Sequence, residues 1–211
     1  MRSYEVQMSI LPPDGDLQIL HHRTYDTKVY TDGTDLIARG AICDRKPPGT
    51  LIAGDTESIV MHHMVIELRI AVPTLEITGV KLDFEEFPHP ECPSIIKAYE
   101  QLVGLSIARG FTHKTRELFG GPRGCTHVVA LLQALAPAVV QSTWSLSKIT
   151  ESSNGPAAED GEIRNLNTCH IWAEDGPQIQ LIRRGERGEP PIPAVRRLIE
   201  LGRDPREFYD Q

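Results

Sequence analysis

Between residues 16 and 87, apolar and β-branched residues alternate with polar ones, and Gly, Pro and Asp break the runs at short intervals. A period of two belongs to strands with one buried face. The run Lys28, Val29 and Tyr30, the turn Thr31-Asp32-Gly33 and the stretch 34–46 together predict a hairpin. Residues 58–72 carry Met64, Ile66, Leu68, Ile70 and Val72 on one path, and a Pro73-Thr74 turn leads into 75–87. These two segments predict adjacent antiparallel strands.

At Pro88 the period changes. His89-Pro90-Glu91-Cys92-Pro93 reads as a loop, Ser94 as an N-cap, and residues 95–111 as a helix from the spacing of their apolar positions. Gly120-Gly121-Pro122-Arg123-Gly124 interrupts the helical region, and a strongly apolar helix begins at Thr126, kinked at Pro137. The small polar stretch 150–161 reads as a flexible loop, 166–172 and 178–182 as two short strands, and the Pro-rich start of Pro190-Pro191-Ile192-Pro193 as the entry to a terminal helix. Strands first and helices later, without βαβ alternation, predict an α+β fold. It forms one domain over 1–211, with a sheet part at 16–87, a helical part at 94–144 and a C-terminal part at 166–211.

Composition narrows the function. With 40% hydrophobic residues the 211-residue chain can build a core, and its net charge of −7 repels phosphate backbones, which excludes nucleic acid and anionic membrane as expected partners. The longest apolar stretch, 127–140, is shorter than the roughly 20 residues that span a bilayer, so no membrane helix is expected. The N-terminal stretch lacks an apolar core and a small-residue cleavage site, which places the chain in the cytoplasm. Cys43, Cys92, Cys125 and Cys169 form no CxxC pair, so in that compartment they are thiols, metal ligands or core residues. Nucleophile-elbow, zincin, P-loop and Rossmann signatures are absent.

The chemistry concentrates at 120–127, GGPRGCTH, where glycines free the backbone before a cysteine that starts a helix. Peptide dipoles there favour a thiolate, so Cys125 is expected to ionise below the usual value near about 8.5. His127 follows two positions later, and cap geometry lets both side chains converge, as a ligand pair or as a thiolate and imidazole. His62 and His63 are neighbours in a strand and face opposite sides of the sheet, so one of them can reach a given site. Cys92 lies near the start of the first helix as Cys125 does for the later one, and Cys169-His170 is another consecutive pair. Cys92, Cys125, His127 and His62 or His63 make a metal set of thiolates and imidazoles, which suits zinc or iron over magnesium or calcium. Cys92 and Cys125 are expected within about 7 Å of each other, the reach of one shared metal.

The stretches CPSIIKAYEQLVGLSIARGF, GGPRGCTHVVALL and NTCHIW, within about 44–172, resemble an uncharacterised bacterial family catalogued as a domain of unknown function. The order of elements also resembles the iron–sulphur scaffold fold of the IscU and NifU type. That resemblance implies ligand places at His62 or His63, at Cys92, and at Cys125 with His127; Glu91-Cys92-Pro93 stands where the scaffold carries glycines. The leading expectation is a catabolic enzyme, a lyase or hydrolase, with Cys125 and His127 at its centre and zinc as the metal. Its substrate would be a small hydrophobic molecule, aromatic if Phe84, Phe87, Tyr99, Phe111, Phe119, Trp144 and Trp172 line the pocket. The alternatives are a carrier of a metal or iron–sulphur cluster, with iron in place of zinc, and an interaction module with structural cysteines. A homo-oligomer is compatible with each.

Overall fold

A computed structural model describes residues 10–108, 110–149, 166–186 and 190–209. Four strands, β1 (His22–Thr31), β2 (Leu36–Lys46), β3 (Ile59–Ala71) and β4 (Glu76–Glu86), form one antiparallel sheet in the order β1-β2-β3-β4. The alternation in the sequence maps directly onto its two faces. Leu36, Ala38 and Ile42 of β2, Met64, Ile66, Leu68 and Ile70 of β3, and Ile77 and Leu82 of β4 are buried in one core. On the other face Arg39 pairs with Glu67 at 2.6 Å and lies over the Tyr30 ring, while Arg69 reaches Asp32 and Asp35. One face apolar and one charged is the pattern of an antiparallel sheet covered on a single side.

The cover is supplied by α1 (Phe111–Phe119) and above all by α2 (Thr126–Ile149), whose Val128, Leu131, Leu132, Leu135 and Val139 are fully buried in the same core. Gly40 permits the close approach. A Cβ there would lie 3.1 Å from Leu131 Cδ1 and 3.5 Å from Leu135 Cδ2. By length and composition α2 could cross a membrane, unlike the shorter span expected from the sequence, but 44% of its most apolar window is buried against the rest of the protein.

The helix expected at 95–111 is divided. A 3-10 helix runs over Cys92–Leu102, preceded by Glu91 rather than capped by Ser94, and α1 begins only at Phe111. Between them Gly104 takes φ +87° and the chain turns onto the edge of β4. There Gly104 N–H donates to Ile77 O, Ile77 N–H to Leu105 O and Ile107 N–H to Leu75 O, at 2.8–2.9 Å. Backbone groups that a helix would have paired internally are satisfied by the sheet edge instead.

The two short strands expected at 166–172 and 178–182 are also replaced by helix: a 3-10 turn at His170–Trp172 and α3 (Pro177–Arg183). Pro177 in the first turn is preorganised for a helix, and Gln178, Ile179, Gln180, Leu181 and Ile182 are too short a stretch for their pattern to decide between strand and helix. The terminal helix is α4 (Ile192–Glu200). The chain separates into two compact units, residues 1–146 with the sheet, and 147–211. The loop expected at 150–161 lies outside the described residues.

Candidate functional site

The core-facing path of β2 runs Leu36, Ala38, Gly40, Ile42 and ends on a carboxylate, Asp44, which is 1% exposed. In the register of the sheet Arg23 of β1 lies on one side of Asp44 and His62 of β3 on the other. All three therefore share the helix-covered face, at the end of the sheet where the apolar path stops. The Arg23 guanidinium grips the carboxylate with two bonds, Nε to Oδ1 and Nη2 to Oδ2, both 2.6 Å. His21 Nε2 stands 3.4 Å from Oδ1.

The first turn of α2 brings the remaining groups. Val129 N–H donates to Cys125 O at 3.0 Å, so Cys125 occupies the N-cap, as the sequence predicts. Tyr99 holds this residue at both ends of its peptide: its hydroxyl accepts from Cys125 N–H at 2.9 Å and donates to Cys125 O at 3.2 Å. The Tyr99 ring is fully buried and stacks on Phe119 at 4.4 Å, and burial pushes the phenol up to about 12. Gly124 is needed beside it, because a Cβ would fall 2.5 Å from Phe119 O and 2.9 Å from the Tyr99 hydroxyl.

From this start His127 reaches in two directions. Its Nδ1 lies 3.7 Å from Cys125 Sγ and its Nε2 3.1 Å from Asp44 Oδ2. His62 Nδ1 approaches the same oxygen at 3.2 Å, and the two imidazoles stack with centroids 3.9 Å apart and planes 27° from parallel. Burial is the largest influence on both rings and lowers their pKa values, with His62 lowering His127 further, so at neutral pH both are uncharged. Burial alone would raise the Asp44 carboxyl; the Arg23 hydrogen bonds and charge, followed by His127 and His21, outweigh it and hold it at about 2. The site is thus an ionised carboxylate, neutralised by one guanidinium and serving two neutral histidines.

Chemically, Asp44, His62 and His127 form a group that could hold a metal, with one donor atom from each within 4.8 Å of the others. Cys125, His127 and Asp44 form, in that order, a thiol, a base and the group that orients the base. Of the residues singled out in the sequence, Cys125, His127 and His62 meet here. His63 takes the other face of the sheet, across from Cys43 and Glu86. Cys92 opens the 3-10 helix and is not among the three residues of the metal-capable group. Cys169 is exposed and precedes the turn that His170 begins, rather than sitting in a strand. Among the aromatics, Tyr99, Phe111 and Phe119 are core, whereas Phe84, across from Met64, and the part-exposed Phe87 lie at the site end of the sheet.

Asp44 and Arg23 are the functional groups that sequence reading missed. The signal was present: a charge on the core-facing path of β2 must be buried, and a buried carboxylate needs partners. Extending the path from Ile70 back through Met64 also selects His62 over His63.

No curated protein and no solved structure matches the chain, so the likeness in element order to the iron–sulphur scaffold fold gains no support. A family model does match, over residues 21–141, more than half of the 211. That span holds Arg23, Asp44, His62, Tyr99, Cys125 and His127 together, and the chain belongs to the family described as protein of unknown function (DUF2889).

Proposed function

We propose that the protein is an enzyme of small-molecule chemistry, a thiol hydrolase in which Cys125 is the nucleophile, His127 its base and Asp44 the group that fixes His127. The observation that carries this reading is the pair of distances at one imidazole, 3.7 Å from Nδ1 to Cys125 Sγ and 3.1 Å from Nε2 to Asp44 Oδ2. With its proton on Nε2 toward the carboxylate, neutral His127 keeps the Nδ1 lone pair for the thiol. The thiolate sulphur adds to a substrate carbonyl carbon, the proton taken by Nδ1 passes to the leaving group, and water then cleaves the acyl thioester to release acid and thiol. A lyase is the neighbouring possibility, since the same base can remove a proton next to a carbonyl. The substrate class we propose is a small apolar acyl compound, with Phe84 and Phe87 at the same end of the sheet as candidate apolar surface for it.

A second reading places zinc on Asp44, His62 and His127 as a resident Lewis acid. The buried Nδ1 of His62 favours it: although 3.2 Å from Asp44 Oδ2, it makes no aligned hydrogen bond. The stacking weighs against it, because nearly parallel rings aim their in-plane lone pairs side by side rather than at one point. Carriage of an iron–sulphur cluster fits less well, since clusters are held by thiolates and, among the described residues, Asp44 is met by Arg23 and three histidines while Cys125 Sγ contacts His127.

The test uses a panel of aryl and alkyl thioesters and esters, with and without EDTA. Turnover that survives EDTA, stops on alkylation of Cys125 and leaves an acyl adduct in the intact mass supports the thiol route. Turnover lost to EDTA and restored by zinc, with Cys125→Ala still active, overturns it in favour of the metal.

A further inference from the structure

We propose that Asp44, His62 and His127 form a reversible inhibitory site for a zinc-class cation, one that switches off the Cys125–His127 pair. The inference rests on the thiol reading above and adds regulation to the same site.

The geometry supplies three donors and a conflict. The separations from Asp44 Oδ2 to His62 Nδ1 and His127 Nε2 are 3.2 and 3.1 Å. Two ligands bound to zinc at about 2.0–2.1 Å in tetrahedral array stand roughly 3.3 Å apart, so the two edges that meet at Asp44 already have the right length, and the third donor pair lies within 4.8 Å. Two imidazole nitrogens and a carboxylate oxygen are borderline donors that suit zinc, and suit magnesium poorly. His62 contributes a buried ring nitrogen that lies 3.2 Å from Asp44 Oδ2 without an aligned hydrogen bond to it, so coordination gives up only that contact.

The conflict lies at His127. As a base it needs its proton on Nε2, toward Asp44, and a lone pair on Nδ1, toward Cys125. A cation on Nε2 requires the lone pair there, so the proton moves to Nδ1 and the ring stays neutral overall. Nδ1 then presents a hydrogen to Cys125 and can accept none from it. Base function and cation binding at His127 exclude each other.

The stacking explains why the cation should be reversible rather than resident. Rings 3.9 Å apart and 27° from parallel must tilt before both lone pairs meet one ion. That tilt gives up part of the ring contact and lowers the affinity. The His62 and His127 side chains keep 21% and 17% of their surface exposed, so a small ion can reach them from solvent.

The experiment follows iodoacetamide alkylation of Cys125 by peptide mass in the full chain stripped with EDTA, with zinc alone as the added probe and magnesium as control. Equilibrium dialysis measures zinc stoichiometry alongside. We expect one zinc per chain, alkylation of Cys125 slowed at least tenfold by zinc and unchanged by magnesium, and full recovery on re-adding EDTA. The ratio of rates with and without zinc is then read in His62→Ala and His62→Gln, each checked for folding by circular dichroism. Both variants should bring that ratio close to one. Protection that persists in both means that zinc sits on the thiol itself and overturns the proposal, as does the absence of zinc binding by the native protein. Failure of the underlying thiol reading shows separately, as zinc-free alkylation of Cys125 that is equally fast in His127→Ala.

Discussion

Asp44 is the residue on which the arrangement turns. A carboxylate 1% exposed is tolerable because Arg23 occupies both oxygens, and the penalty falls due when that partner is lost. Arg23→Leu should therefore destabilise the protein by about 3 kcal/mol, the low end for breaking a buried pair because Arg23 itself is partly exposed. Urea midpoints beside native protein check this, and a change below the error of the measurement would contradict the buried pairing. The histidines set the pH dependence. Their folded pKa values lie below the ordinary 6.5, so below that pH the unfolded chain binds protons that the folded one refuses. Stability is complete above pH 6.5 and declines as pH falls through the folded values. Asp44 adds to the loss only below about pH 4, because its carboxyl is held at about 2 against an ordinary 3.8. Urea midpoints between pH 7.5 and 5 should show the first decline, with a shallower slope in His127→Gln.

At the scale of elements, the start of α2 is placed by packing as much as by its own caps. Tyr99 and Phe119 wedge the Cys125 peptide into register with Asp44, and Gly124 leaves room for them. Gly124→Ala should cost about 1–3 kcal/mol by overpacking against backbone and should slow alkylation of Cys125, since the carbonyl of Phe119 cannot yield as a side chain would. Tyr99→Phe leaves Cys125 N–H unpaired, at about 1–3 kcal/mol, and separates loss of the hydroxyl from loss of the ring. Thermal melts run alongside Cys125 alkylation rates read both effects; melts lowered with reactivity intact would reduce the clamp to a structural role. Gly40→Ala meets the end of the flexible Leu131 side chain at 3.1 Å and should be milder than Gly124→Ala. The two elements misread from sequence share one cause. Residues 103–108 look helical by spacing yet find hydrogen-bond partners on β4, and 178–182 look like a strand yet belong to α3. Local pattern ranks the options; available partners decide among them.

For the molecule as a whole, the main core is built entirely from residues of the first compact unit. A fragment ending at residue 149 should keep a single cooperative melt and a reactive Cys125; loss of either would show that the second unit is needed for folding. By itself the sequence determined the two hairpins and which side chains of each strand share a face, because a period of two leaves each side chain only one choice of face; the pairing of β2 with β3 that joins them into one sheet came from the tertiary structure. It also determined that Cys125 opens a helix and that His127 stands one step inside it, since glycine punctuation and the apolar run that follows are local signals. The tertiary structure alone decided which residues meet. Arg23, Asp44, His62 and His127 come from three strands and a helix separated by up to about a hundred residues, and cross-strand register has no local signature. Burial, which neutralises the histidines and makes Arg23 necessary to Asp44, exists only once α2 lies on the sheet.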